Sequence, residues 1–203
     1  MQSAGQKTGC VVKTERTRTF EDALVRQCAP TLAGMKSGSI FCVKPPSLEF
    51  MRQKVWQWDK QLKPSGLSVQ ILLERPDSGS MIVYVYRRKQ LERILEGEDY
   101  RMFLAQMGYV QMDLDSLLAQ LALRLETQPE FPHEIGVFLG YPLQDVVGFI
   151  KNRGRNYTCC GFWKSYSDPA EVQACFGCYR KCVHHYMALL EQGTPLEKLA
   201  VSA

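Results

Sequence analysis

The 203-residue chain has no run of about 20 apolar residues, so it offers no candidate membrane-spanning helix. Its first residues, MQSAGQKTGCVVKTERTRTF, contain no apolar core of a signal peptide, so no secretory leader is expected. It has no G-x-x-x-x-G-K-[ST] loop, no G-x-G-x-x-G after a strand and no G-x-S-x-G elbow. These absences remove the P-loop nucleotide, dinucleotide-binding and α/β-hydrolase readings, and they leave room for an enzyme with an unusual site. His133-Glu134-Ile135-Gly136-Val137 lacks the second histidine of H-E-x-x-H, so the metalloprotease reading fails as well. Charge of one sign is also scarce. The formal net charge is +4, and the segment 1–19 carries Lys7, Lys13, Arg16 and Arg18 against Glu15 alone. The remainder is close to neutral and shows no electrostatic footprint for nucleic acid. The expectation is a cytoplasmic chain with neither nucleic-acid nor membrane partners.

What is present suits a globular protein: 45% hydrophobic and 23% charged residues, in a length that fits one ordinary domain. Residues 1–19 read as a flexible basic tail and 20–203 as a single domain. In a cytoplasmic setting the 8 cysteines are expected to stay reduced, available for packing, metal binding or redox chemistry.

The local patterns predict an α+β fold. A short helix over 20–27 is expected to stop before Pro30, leaving Cys28 to Gly34 as an irregular turn. Ser39 to Val43 reads as a strand. Ser47 caps a helix with an apolar stripe of Leu48, Met51, Val55, Trp58 and Leu62, and Trp56 lies off that stripe. Val69 to Glu74 and Met81 to Arg87 are strands around a Pro76-Asp77-Ser78-Gly79 turn. Both are apolar at odd and even positions, which predicts cover on both faces of the sheet. Short helices follow over 90–95 and 100–106, then a longer one capped by Asp113. Pro132 and Pro142 open two more. Gly161 to Tyr166 reads as a strand, and Asp168-Pro169-Ala170-Glu171 starts the last long helix. The sum is a small mixed or antiparallel sheet of about four strands, covered by about seven helices, with a helix-rich C-terminal half.

Three segments together carry a family resemblance: Cys28-Ala29-Pro30-Thr31-Leu32-Ala33-Gly34, the stretch from Phe131 to Pro142 with its HEIG-x-FLGYP signature, and Gly161-Phe162-Trp163-Lys164-Ser165-Tyr166. In order and spacing, from about Phe20 onward, the chain resembles a bacterial family frequent among clostridia and other anaerobes and known as a domain of unknown function. The resemblance implies a bacterial, anaerobic, cytoplasmic protein. It implies no activity, cofactor or catalytic residue.

Three groups of residues could carry chemistry. Cys175, Cys178 and Cys182 lie on the last helix, with His184 and His185 beyond and Cys159 and Cys160 upstream. Thiolates are soft ligands for zinc or an iron–sulfur cluster, with His185 as a further donor. Cys175 and Cys182 are separated by about 10 Å along a helix, so a site would need a thiol folded back from Cys159 or Cys160. The alternative is that these cysteines pack as small hydrophobes beside the core stripe.

Cys28, His133 and Glu134 form the second group: a thiol beside an imidazole at a helix start could serve as a nucleophile, if the fold brings them together. The alternative is a core thiol and a His–Glu pair that satisfies free backbone N–H groups. The third group sets Lys164 between Trp163 and Tyr166, after the basic stretch Lys151, Arg153 and Arg155, where cations beside aromatics could hold an anion. The alternative is a lysine that merely extends along the aromatics to solvent.

The leading expectation is a small-molecule or cofactor pocket lined by Cys28, Thr31, His133, Glu134, Trp163, Lys164 and Tyr166. A thiol-ligated zinc or iron–sulfur protein using Cys159, Cys160, Cys175, Cys178, Cys182 and His185 is the second. A protein-interaction or regulatory module is the third.

Overall fold

The chain is described by a computed structural model covering residues 19–202. The basic segment through Arg18 lies outside the described residues. Thr19 opens α1 (Phe20–Leu32) with a reciprocal capping box: its hydroxyl accepts from Asp22 N–H, and the Asp22 carboxylate accepts from Thr19 N–H. The helix does not stop before Pro30 but runs through it for two more residues. A proline inside a helix forfeits one hydrogen bond and costs about 3 kcal/mol. Here the loss is offset by tertiary contacts: Cys28, Ala29, Thr31 and Leu32 are fully buried, and the Arg87 guanidinium donates to Thr31 O and Leu32 O at 2.6 Å each. The irregular turn therefore shrinks to residues 33–37, which lead into β1 (Gly38–Val43).

Ser47 caps α2 (Leu48–Leu62) by accepting from Phe50 N–H, and Met51, Val55, Trp58 and Leu62 are its buried stripe. Trp56 is 67% exposed, with the Lys60 ammonium over its ring. β2 (Leu67–Arg75) and β3 (Ser80–Arg87) form a hairpin, and β1 pairs antiparallel with the other edge of β3, giving the order β1-β3-β2.

Side chains alternate across the sheet. Met81, Val83 and Val85 face one core with Phe41 and Val69, while Ile82, Tyr84 and Tyr86 face the other. A register shift between Ile71 and Leu73 turns both Leu72 and Leu73 toward the second core.

That second core is covered by α3 (Arg88–Leu95), α4 (Glu98–Gln106), α5 (Leu114–Thr127), the four-residue α6 (Ile135–Phe138) and α7 (Leu143–Asn152). The first core lies under α1, α2, the long α8 (Pro169–Glu191) and α9 (Leu196–Leu199). The fold is α+β, with helices on both faces of an antiparallel sheet.

The expected strand over 161–166 contributes only two residues. β4 (Cys159–Cys160) and β5 (Lys164–Ser165) make a separate two-stranded hairpin, closed by Gly161 N–H donating to Trp163 O at 3.0 Å. Beyond β5 the backbone leaves the ladder because Tyr166 N–H donates to the Asp145 side chain. Among the described residues no helix is long and apolar enough to cross a membrane.

Candidate functional site

The 33–37 turn is pinned on several sides. Arg87, itself fully buried, fixes the helix end before it and also donates to Val201 O at 2.8 Å. Gln90 donates to Gly34 O, and the Tyr179 hydroxyl on α8 donates to Met35 O at 3.2 Å. These contacts direct two consecutive polar residues inward. Lys36 is only 8% exposed, and its ammonium lies 4.9 Å from the centroid of the Tyr141 ring. Ser37 is buried beside it, and its hydroxyl has no hydrogen-bond partner among the described residues. Gly140 faces that hydroxyl so closely that a Cβ there would collide with it.

Among the described residues no carboxylate pairs with Lys36. Burial pulls its amine down from the ordinary lysine range to about 8, against a smaller upward pull from the Cys28 and Cys175 thiols. Burial also pushes the Cys28 thiol up, so it stays protonated at neutral pH.

Tyr141 continues the site. Its ring stacks on Trp163 at 4.9 Å, and its hydroxyl donates to Phe162 O at 3.2 Å. Trp163 meets Phe176 edge-on at 4.6 Å, and Phe162 meets Tyr179 edge-on at 5.2 Å. Aromatic pairs in these geometries stabilise by about 0.5–1.5 kcal/mol beyond their buried area. A groove of about 470 Å³ runs along α8 and α1, lined by Arg26, Phe162, Arg180, Val183, His184 and Met187.

Asp145 anchors the loop that carries Trp163. One carboxylate oxygen accepts from the Trp163 indole N–H at 2.7 Å and the Ser165 hydroxyl at 2.9 Å. The other accepts from Tyr166 N–H and the Ser167 hydroxyl at 2.7 Å each. Burial opposes ionisation of this carboxyl, but the hydrogen bonds from Ser167, Tyr166, Trp163 and Ser165 outweigh it and hold it below the usual range.

The other sequence-derived candidates occupy distinct places. Cys28 lies in the first core, whereas Glu134 stands at the second, where it accepts from Arg124 at 3.0 Å and the Tyr109 hydroxyl at 3.3 Å. His133 packs against Phe149 at 4.7 Å and Phe131 at 6.1 Å, and burial lowers its pKa against weaker opposition from Glu134 and Glu130. The Thr31 hydroxyl is engaged with Ser39 at 2.9 Å. Lys164 donates to Gly154 O at 2.9 Å and lies over Phe149 and Tyr157, while the Tyr166 hydroxyl donates to Arg155 O.

Among the described residues no three His, Cys, Asp or Glu side chains come together as metal ligands would. Cys160, Cys178 and His185 are exposed, and Cys159, Cys175 and Cys182 are half-buried. Burial pushes the Cys182 thiol up.

The fold thus unites the 33–37 turn, the turn after α6 and the β5 hairpin at one place, through Lys36, Tyr141 and Trp163. Sequence reasoning passed over Lys36, Ser37, Tyr141 and Asp145. A signal for two of them existed: Lys36 is the one charged residue between Arg26 and Lys44, and Asp145 is the one between Glu134 and Lys151. An isolated charge in an apolar stretch has to be buried with partners or put to use.

A family profile described as "Protein of unknown function (DUF3793)" matches residues 24–200. The chain belongs to the DUF3793 family. The match begins within α1 and ends just after α9, so it takes in the whole second core, most of the first and every residue of the Lys36 site. No curated protein and no solved structure matches the DUF3793 chain.

Proposed function

We propose that this DUF3793 chain binds a small molecule at the junction of α1, α8 and the Gly140–Tyr141 turn. Lys36 is the polar anchor and the stacked Tyr141–Trp163 pair is the aromatic floor. The observation that carries this reading is a pair of buried polar groups turned toward one turn: among the described residues, the Lys36 amine has no carboxylate and the adjacent Ser37 hydroxyl has no hydrogen bond. Burying a hydroxyl such as that of Ser37 uncompensated costs about 1–3 kcal/mol in mutational data, a cost that a ligand oxygen bonded to it would offset. Ligand sites combine an apolar, aromatic lining with a few placed polar groups, and this junction has that composition. Arg87 and Asp145 are positioning residues, one fixing the turn and the other the Trp163 loop.

The test is a thermal-shift screen of small carboxylates, phosphates and carbonyl compounds on wild type and Lys36→Met. At least one class should raise the wild-type Tm and leave the variant unmoved. A screen in which no compound separates the two proteins sinks the reading.

A further inference from the structure

We infer that the ligand of this site is an aldehyde or ketone, which Lys36 captures as an imine. The inference rests on the small-molecule reading above and adds to it the chemical class of the ligand and a covalent step. Its basis is the company Lys36 keeps. A lysine that serves to bind anions or to stabilise the fold keeps its charge, usually against a carboxylate. Lys36 has none among the described residues, and its neighbours are thiols and a ring: Cys28 from α1, Cys175 from α8 and Tyr141 from the turn after α6. Arg87 of β3 lies against Gly34 with its guanidinium spent on the carbonyls at the end of α1.

Such surroundings favour the neutral amine, which is the nucleophilic form. An amine pulled down to about 8 is free in about a tenth of molecules at pH 7, whereas an exposed lysine is almost wholly protonated. The aromatic floor suits the carbon body of a carbonyl compound, and the Ser37 hydroxyl supplies a donor for its oxygen.

The step balances without an oxidant or reductant. The Lys36 nitrogen lone pair attacks the carbonyl carbon, the C=O π pair moves to oxygen, and one N–H proton follows it to give the carbinolamine. The C–O bond then breaks as C=N forms, the second N–H proton goes to the departing oxygen, and water leaves.

The full chain is incubated at pH 7 with propanal or benzaldehyde and sodium cyanoborohydride, which delivers hydride to an imine and leaves a stable secondary amine. Tryptic peptides are then mapped. Alkylation of Lys36 blocks cleavage there and yields the fused peptide 27–52, since Pro45 already protects the bond after Lys44. Lys36 should be labelled about ten-fold or more faster than the exposed Lys60 and Lys198, with the advantage shrinking toward pH 10.5 as their amines also lose protons. Labelling of Lys36 no faster than Lys60 overturns the inference. Propanoate and benzyl alcohol separate the two claims in a parallel thermal-shift arm. If they stabilise wild type but not Lys36→Met and no trapping occurs, the site binds ligand and imine capture is wrong. If neither trapping nor any shift is seen, both readings fall.

Discussion

The indole N–H of Trp163 donates to the carboxylate of Asp145 at 2.7 Å, and the same carboxylate collects three further donors from Ser165, Tyr166 and Ser167. One acid on α7 therefore holds the whole 163–167 segment and, with it, the ring on which Tyr141 stacks. Removing the charge without changing the shape, as in Asp145→Asn, forces an NH₂ against donors that need an acceptor. The expected loss is about 2–3 kcal/mol in chemical denaturation, with faster amide exchange confined first to residues 163–167.

Asp145 also sets an acid limit. Its pKa is lower folded than unfolded, so the unfolded chain binds the proton more readily. The stability it contributes is in place above the unfolded value of about 4 and fades as pH drops through the lower folded value. Wild type should lose stability over that acid window more steeply than Asp145→Asn. Parallel curves for the two proteins between pH 5 and 2 would contradict this.

Lys36 works in the opposite sense. Its folded pKa, about 8, lies below the ordinary 10.5, so between those values the unfolded chain holds more protons and stability from this group rises with pH. Below pH 8 the buried charge is a cost that Lys36→Met removes. Each tenfold drop in proton affinity on folding corresponds to about 1.4 kcal/mol, so the variant should be more stable than wild type at pH 7 by up to a few kcal/mol. The gap should narrow by pH 10. Guanidinium titrations at the two pH values measure it, and a gap that does not narrow refutes the assignment.

Glu134 and Arg124 form a buried ion pair, their side chains 3% and 16% exposed, with Tyr109 under the guanidinium and Met107 O accepting from its other arm at 2.5 Å. Glu134→Ala strands the arginine and the Tyr109 hydroxyl in the second core, at a cost of about 3–5 kcal/mol. Adding Arg124→Met should recover part of that loss. A double-mutant cycle that shows simple additivity would mean the pair is not coupled.

Gly140 has a left-handed backbone at φ 70° and abuts the Ser37 hydroxyl. Gly140→Ala combines left-handed strain of about 1–2 kcal/mol with overpacking of about 1–3 kcal/mol. Gly140→Ala with Ser37→Ala should relieve the second contribution and keep the first, because the Ser37 Cβ stands 3.4 Å from the added methyl position. Ser37→Ala alone removes an unpartnered hydroxyl and should be neutral or stabilising without ligand. A large loss in that single variant would show that the hydroxyl has a structural partner.

Much of this architecture can be read locally. Ser47, Asp113 and Asp168 each accept from the first-turn N–H groups of α2, α5 and α8, so those helix starts are fixed within three residues of sequence. The apolar residues on both faces of β2 and β3 predict the two helical layers, because a strand with no polar face has to be covered twice. Locality fails where a distant group changes the balance. Pro30 should end α1, and it does not, because Arg87 arrives from 56 residues away to take up the Thr31 carbonyl. The 161–166 strand is cut to two residues because the Asp145 side chain competes for the Tyr166 N–H.

For the candidate site the division is sharper. The residue types of the turn, the HEIG-x-FLGYP segment and the Gly161–Tyr166 hairpin stand in the sequence, and so do two isolated charges in apolar surroundings. Which of them meet depends on burial and on side-chain direction, and neither is a property of a segment alone. Only the packed chain sends Glu134 to Arg124, Cys28 into a core and His133 to Phe149, and leaves Lys36 facing Tyr141 with no counter-charge among the described residues. Sequence alone determined that the sheet is covered on both faces and where the helices are capped, because those follow from local periodicity and backbone donors. Tertiary structure decided where the Lys36 amine lies, because the cost of a buried charge depends on every element packed around it.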